Sequence, residues 1–454
     1  MSNEALIIGM FLALLFGLIF LGSHLGFMLG TVAILGGLIG WAGSGLAFFY
    51  LFPIRIYAIM QNYILVAVPL FVFMGYMLER SGFGENLFGS AELFFGRFRG
   101  GMAIMVVVVT TILAATTGIV ATGVIMAGVL ALPVMLRRGY NKGLALGTVA
   151  AGGTLGILIP PSIMLVFYAS QTALSVGKLF LGAFGPGLLL SALFISYVII
   201  ITTIYPKMAP RLGEVPERTE YVPVKPFRVM ESRHPRLRAV LAFAPIACLL
   251  AAVLGTIMFG IATPTEAAAC GAGGAILIAA AYRQLNWRTL MDVSLRTFGT
   301  MGMFSGIVIG AMCFTAIFCG LGGGDIIYNL IIGLPLSPLG ILLVILGFVF
   351  VLGMFIDWVA ILLVLLPTMV PISVAMGWDQ LWFGLVVCVT LQTAWLSPPF
   401  GYSLFFLRGL NMPGVTMADI AWGCVPFILL QLVGVGLIIA FPQIILWLPN
   451  LLIR

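Results

Sequence analysis

The sequence predicts an all-α polytopic membrane protein made of two inverted-topology repeats, each with a re-entrant helical hairpin and a broken helix. Three observations carry this prediction. Of the 454 residues, 62% are hydrophobic and 8% are charged, against about 25% charged residues in a soluble domain. Apolar stretches long enough to cross a bilayer recur along the whole chain. Two of these stretches are interrupted by paired prolines and polar residues at matching positions in the two halves.

Single membrane helices are predicted from apolar windows of about 19 residues. They lie near 5–22, 25–43, 62–80, 142–172, 178–204, 238–257, 264–282, 298–320, 380–407 and 416–448. Two further apolar stretches, 101–136 and 338–376, are too long for one helix and contain small or polar residues at their centres. Each is therefore predicted to form a helix, a turn and a returning helix.

The positions of the basic residues predict which side of the membrane each hairpin opens to, because Lys and Arg concentrate in cytoplasmic loops. The stretch 101–136 has basic residues on both flanks, which predicts a hairpin that opens to the cytoplasm. The flanks of 338–376 contain neither Lys nor Arg, which predicts a hairpin that opens outward. The polar linker 205–237 is predicted to be cytoplasmic, since it is rich in basic residues. The basic residues used here are Arg97, Arg99, Arg137, Arg138 and Lys142 around the first hairpin, and Lys207, Arg211, Arg218, Lys225, Arg228, Arg233 and Arg236 in the linker.

These positions divide the chain into a first repeat (1–204), the cytoplasmic linker (205–237) and a second repeat (238–454). Each repeat has an odd number of crossings and one hairpin, so the second repeat is expected to run through the membrane upside down relative to the first. Inverted repeats of this kind are typical of secondary transporters. Both chain ends then face outward. Of the 21 Lys and Arg residues, those left outside are Arg55, Lys178 and Arg454.

Thiol labelling tests the predicted sidedness. In spheroplasts that carry a variant without native cysteines, we expect a membrane-impermeant maleimide to modify Leu334→Cys, which precedes the outward-opening hairpin. We expect Glu220→Cys, in the linker, to react only after the membrane is permeabilised. Labelling of Glu220→Cys but not Leu334→Cys in sealed spheroplasts would contradict the topology.

The two interrupted helices offer oxygen ligands at membrane depth. They read G-G-T-L-G-I-L-I-P-P-S over 152–162 and Q-T-A-W-L-S-P-P-F-G over 392–401. Proline removes a backbone donor and frees carbonyl groups one turn upstream, and unpaired carbonyls in a membrane must be satisfied by protein or by an aqueous cavity. Such breaks therefore predict ion and substrate sites near the bilayer midplane.

Polar side chains at the breaks and hairpin tips are the candidate substrate ligands. Asp357 is the carboxylate expected closest to a hairpin tip, and a helix-capping role for it remains an alternative. The candidate substrate residues are Thr117, Thr154, Ser162, Asp357, Gln392 and Thr393.

An embedded enzyme or a metal site is disfavoured by the residue types present. Histidine occurs only at His24 and His234, both in predicted loops, and the six cysteines form no C-x-x-C pair. Hydrolytic or redox chemistry would need intramembrane histidines, paired carboxylates or metal ligands. A channel would not need hairpins that open from opposite faces. The net charge of +7 is explained by membrane topology, and no nucleic-acid partner or organic cofactor is expected.

Four strings resemble the large membrane subunit of tripartite ATP-independent periplasmic (TRAP) transporters, the DctM family. They are G-T-V-A-A-G-G-T-L-G-I-L-I-P-P-S (147–162), A-T-P-T-E-A-A-A (262–269), G-M-F-I-D (353–357) and L-S-P-P-F-G (396–401). The resemblance covers essentially the whole chain. It implies sodium-driven import of an organic anion across the bacterial inner membrane by an elevator motion. It also implies two partners, a small four-helix membrane subunit of the DctQ type and a periplasmic substrate-binding protein of the DctP type.

The resemblance also implies the ion ligands, with Na⁺ as the coupling ion. The first hairpin tip, Ser-Gly-Ser-like in many members of the family, here reads Thr116, Thr117, Gly118, which keeps the first hydroxyl and loses the third. The second break, usually Thr-Pro-Pro, here keeps its oxygen as Ser397. By carry-over, the first sodium site comprises Thr116, Gly118, Gly156, Ile159 and Pro161, and the second comprises Gly353, Ala394, Ser397 and Phe400.

The hairpins and broken helices, 101–172 and 338–407, are expected to move together as a transport unit, with the remaining helices as a scaffold. A stand-alone sodium/organic-anion symporter of related fold remains the alternative function, because the membrane machinery of the two kinds of carrier is similar.

Overall fold

A computed structural model describes residues 3–17, 24–41, 46–95, 98–210, 235–399 and 401–452. These residues form α-helices joined by short turns, with no strand among them, so the predicted all-α fold class is confirmed. In the first half the helices are α1 Asn3–Phe16, α2 Leu25–Gly40, α3 Leu51–Met60, α4 Ala67–Arg80, α5 Phe83–Phe95, α6 Gly101–Thr117, α7 Val120–Leu130, α8 Leu132–Arg137, α9 Lys142–Thr154, α10 Ile163–Gln171 and α11 Val176–Ile204. In the second half they are α12 Pro235–Met258, α13 Pro264–Ala281, α14 Trp287–Gly320, α15 Gly323–Ile332, α16 Pro338–Gly353, α17 Trp358–Ala375, α18 Gln380–Ala394, α19 Tyr402–Gly409, α20 Met417–Ala440 and α21 Gln443–Leu452.

The described helices include seven that are long and apolar enough to cross a bilayer, alongside shorter apolar helices. Two predictions differ clearly from the structure. The single helix predicted over 416–448 is two helices, α20 and α21, because α20 ends at Ala440 and α21 begins at Gln443. The start of α14 also differs. The sequence predicts a helix from residue 298, whereas α14 begins at Trp287 because the Asn286 side chain accepts a hydrogen bond from the Thr289 amide at 2.8 Å. The first turns of α14 carry charged residues, so a search for continuous apolar segments places the start of the helix too late. Most of the linker, residues 211–234, lies outside the described residues.

Each predicted hairpin is a pair of contacting helices joined by a short turn. The first turn lies between α6 and α7, where Gly118 adopts a left-handed backbone (φ 61°) and its amide donates to the Ala114 carbonyl, a common helix ending. The second lies between α16 and α17, where Asp357 is the N-cap of α17 and its Oδ1 accepts from the Val359 amide at 2.9 Å. The returning part of the first hairpin is two helices, α7 and α8, which meet at Ala131.

Each hairpin is followed by a broken helix. In the first half α9 ends at Thr154, a tight turn covers 155–157, and α10 begins at Ile163. In the second half α18 ends at Ala394 and α19 begins at Tyr402. The paired prolines of both breaks are joined by cis peptide bonds. The order of hairpin and broken helix thus occurs once in each half, while the inverted orientation of the halves stays a prediction.

The helices pack in two groups, with glycines at the closest contacts within each. In one group α14 packs on α2 and α4, and a Cβ added at Gly310 would lie 2.0 Å from the Gly26 carbonyl oxygen. In the other, α9 packs on α6, α7 and α20, and α20 also contacts α11 and α18. A Cβ at Gly147 would lie 2.0 Å from the Gly423 carbonyl oxygen. Small residues allow this backbone approach between membrane helices.

Candidate functional site

The first hairpin tip lies directly against the first break. A Cβ added at Gly118 would lie 2.8 Å from the carbonyl oxygen of Pro161, and one added at Gly156 would lie 3.3 Å from the carbonyl oxygen of Ile119. Thr116 and Ile159 are buried beside them. The structure therefore brings the predicted residues of the first sodium site onto two touching segments.

Carbonyl groups at the first break are free to meet a cation. In the described part of the chain, no hydrogen bond is donated to the carbonyl oxygens of Ile159 or Pro161. The Ser162 hydroxyl donates to the neighbouring Ile157 carbonyl, and Ser162 also caps α10 by accepting from the Leu165 amide. Ser162, predicted as a substrate residue, thus serves as the N-cap of α10 in this structure.

The second hairpin tip meets the second break in the same way. A Cβ added at Gly353 would lie 2.6 Å from the Cβ of Ala394, so that these two predicted ligands are in contact. Ser397 follows Ala394 within the break and is buried. Phe400, the remaining residue predicted for this site, lies outside the described residues.

One hydroxyl at each site donates its hydrogen to a backbone carbonyl and keeps lone pairs that can accept. Thr116 Oγ1 donates to the Leu113 carbonyl at 2.7 Å, and Ser397 Oγ donates to the Thr393 carbonyl at 3.2 Å. A hydroxyl has one hydrogen and two lone pairs, so each of these oxygens can still coordinate a cation. Oxygen ligands of this kind suit a hard cation.

The structure places the other predicted substrate residues at separate points. Thr154 and Gln392 meet at the interior of the molecule, where Gln392 Nε2 donates to Thr154 Oγ1 at 3.4 Å. The hydroxyls of Thr117 and Thr393 donate to carbonyls of their own helices. Asp357 lies at the second tip, so its predicted alternative role as a helix cap is present in the structure.

The Asp357 carboxylate also belongs to a small polar group at the second break. The carboxylate lies near Tyr402, whose ring lies 5.0 Å from that of Trp395. The Nε1 atom of Trp395 and the hydroxyl of Ser403 are buried, and neither has a partner among the described residues. Trp395 of the second break and Tyr402 at the start of α19 therefore lie together near Asp357.

Sequence reasoning missed Gln431, which lies in the middle of α20. Its Nε2 atom donates to Thr154 Oγ1 at 3.3 Å, although the two residues are 277 positions apart in the sequence. A single glutamine inside an apolar helix is a signal in itself, because polar residues in membrane helices are rare and usually face a polar partner. The partner could not be named from the sequence.

Comparison with known proteins indicates which family this chain resembles. Residues 12–444 match the family model described as "Tripartite ATP-independent periplasmic transporter, DctM component". The chain is 30% identical over 398 residues to the C4-dicarboxylate TRAP transporter large permease protein DctM of Pseudomonas aeruginosa, covering 87% of this chain and 88% of that one. It is 27% identical to the ectoine TRAP transporter large permease protein TeaC of Halomonas elongata, covering 97% of this chain and 99% of that one.

The chain is also similar in fold to a solved structure. The crystal structure of the Alcanivorax borkumensis YdaH transporter superposes with a TM-score of 0.63 and 15% sequence identity, covering 87% of this chain and 89% of that one. At this identity the likeness concerns the fold alone. It agrees with the all-helical fold.

Proposed function

Because the chain belongs to the DctM family of tripartite ATP-independent periplasmic transporters, and is therefore a multi-pass large permease subunit and not an enzyme, we propose that it drives import of an organic anion with a sodium gradient. Permeases of this family work with a substrate-binding protein and a small permease subunit. The finer proposal is that these are a DctP-type periplasmic protein and a four-helix DctQ-type subunit, in the bacterial inner membrane.

The observation that carries the proposal is the matched pair of oxygen-rich contacts between a hairpin tip and a break. Thr116 and Ser397 each offer an accepting hydroxyl, and the carbonyls of Ile159 and Pro161 lack a donor among the described residues. Discontinuous helices in transporters bind Na⁺ through such groups. We assign the first ion site to the first tip and break, and the second to Gly353, Ala394, Ser397 and Phe400.

We further propose that the hairpins and broken helices move as one body. Because α20 packs on α9 and α18, and α11 packs on α6 and α18, the proposed transport unit extends beyond 101–172 and 338–407 to include these two helices. The scaffold would then be built around α2, α4, α13 and α14, which pack on one another. An elevator motion moves the same interior site across the membrane relative to the fixed scaffold, so no continuous pore has to open.

The substrate is proposed to bind between the two breaks. Its negative charge would be met by hydroxyls, amides and helix N-termini. The candidates are Thr117, Thr154, Ser162, Gln392 and Thr393, each of which would have to exchange its present hydrogen bond for one to the substrate. Asp357 would instead repel an anion or pair with a bound cation. The names of the relatives, one for C4-dicarboxylate and one for ectoine, do not favour a single compound for this chain.

Reconstitution separates the tripartite proposal from a stand-alone symporter. Proteoliposomes that contain the permease and its small subunit should show no uptake until the loaded binding protein encoded beside them is added. A binding protein from an unrelated system, loaded with its own ligand, is the control and should give no uptake. Uptake of free substrate at full rate without any binding protein would favour the stand-alone symporter.

A further inference from the structure

Three buried polar side chains from different helices meet at one point, which we call the polar junction: Thr154 at the end of α9, Gln392 on α18 and Gln431 on α20. All three are 0% exposed. Both glutamine amides donate to the same atom, Thr154 Oγ1, at 3.4 Å from Gln392 and 3.3 Å from Gln431. The junction therefore joins the first repeat to two helices of the second.

Elementary hydrogen-bond chemistry fixes how the amides are turned. Thr154 uses its only hydroxyl hydrogen to donate to the Ala151 carbonyl at 2.7 Å, so its oxygen can only accept from the glutamines. Its two lone pairs are then both engaged, one by each Nε2. The Oε1 atoms of Gln392 and Gln431 must face away from Thr154, and both are buried without a partner among the described residues.

This arrangement is a poor one for stability alone. A buried acceptor without a donor is unfavourable, whereas apolar side chains of the same shape leave nothing unsatisfied. Long hydrogen bonds, beyond the usual range for N–H···O contacts, compensate only weakly. The junction is therefore better explained by its position than by its contribution to folding.

That position links the two proposed ion sites. Thr154 lies two residues before Gly156 of the first site, and Gln392 lies two residues before Ala394 of the second. A cation that draws in the carbonyls of the first break would displace the end of α9 and with it Thr154. The displacement would reach the last turn of α18 through Gln392.

We propose that Gln431 is a positioning residue that holds the polar junction, so that a cation at one break raises the affinity for a cation at the other. This inference rests on the proposed sodium sites. Gln431 fixes Thr154 from the side of α20, and Gln392 passes a displacement of Thr154 to the second break. Without Gln431, the two sites should bind independently.

Equilibrium binding of ²²Na⁺ to the purified permease complex tests this directly. The wild-type protein should bind with a Hill coefficient above 1, and Gln431→Met and Thr154→Val should lower it toward 1 while both ions still bind at saturation. Thr154→Ser, which keeps the hydroxyl, should have the wild-type Hill coefficient. Thr148→Val is the matched control, because Thr148 is buried on the same helix and its hydroxyl donates to the Leu144 carbonyl of that helix.

The stability of Gln431→Met distinguishes positioning from simple support. We expect its melting temperature without sodium to stay within about 2 °C of the wild type or to rise, since an unsatisfied acceptor is removed. An unchanged Hill coefficient in Gln431→Met, or a Hill coefficient of 1 in the wild type, would overturn the proposed coupling without contradicting the proposed ion sites. The absence of saturable sodium binding in the wild type would overturn the proposed function as well.

Discussion

A disulfide between α14 and α17 is expected to abolish uptake, because it would tie the proposed scaffold to the second hairpin. The variant is Thr315→Cys with Leu363→Cys, made after the six native cysteines are replaced. The two positions are close, since Thr315 Oγ1 donates to the Leu363 carbonyl at 3.1 Å, and disulfides need Cα atoms about 4.4–6.8 Å apart. Initial uptake rates in proteoliposomes should fall to the level of empty vesicles on oxidation and return on reduction.

A second pair with the same local geometry controls for the disulfide itself. Thr265 Oγ1 donates to the Tyr63 carbonyl at 3.0 Å, and both residues belong to the proposed scaffold. Oxidised Tyr63→Cys with Thr265→Cys should therefore transport as well as its reduced form. Full uptake by protein in which the link between positions 315 and 363 is verified by mass spectrometry would contradict the moving unit.

The hydroxyls of Thr116 and Ser397 are expected to set the sodium dependence of uptake. Thr116→Val and Ser397→Ala each remove one proposed ligand and one hydrogen bond to a carbonyl of the preceding turn. We expect each variant to raise the half-saturating sodium concentration about tenfold, which corresponds to about 1.4 kcal/mol. The measurement is the initial rate of uptake as NaCl replaces choline chloride at constant ionic strength.

A matched variant separates loss of a ligand from loss of a buried hydroxyl. Thr390 is buried on α18 and donates to the Val386 carbonyl at 2.9 Å, but it lies a full turn before the second break. Thr390→Val should keep the wild-type sodium dependence. If Thr116→Val and Ser397→Ala also keep it while the proteins remain folded, neither hydroxyl is a ligand.

Much of the fold could be predicted because its main signals are local. Apolar length predicted the membrane helices, and glycines, prolines and polar residues predicted where the two hairpins turn and the two helices break. The prediction failed where a helix continues beyond its apolar part, as in α14, whose start at Trp287 is set by the Asn286 cap. The caps at Ser162 and Asp357 are local too, but their side chains can serve either a helix end or a ligand.

The interior contacts of the site could be predicted only in part, since they join distant parts of the chain. Matching positions in the two halves pointed to Thr154 and Gln392 separately, and the structure brings them within hydrogen-bonding distance. Gln431 has no counterpart in the motifs of either half, so nothing in the sequence connects it with Thr154. Its contact with Thr154 follows from the packing of α20 on α9, which rests on the close approach of Gly147 and Gly423.

The claim that the two hairpin tips and breaks bind sodium is tested most directly by ²²Na⁺ binding to the purified permease complex in the absence of substrate. We expect saturable binding that excess unlabelled Na⁺ displaces and K⁺ does not, with one ion for each break. The double variant Thr116→Val with Ser397→Ala should lose most of this binding at a sodium concentration that half-saturates the wild type. No saturable binding by folded wild-type protein, or unchanged binding by the folded double variant, would contradict the assignment.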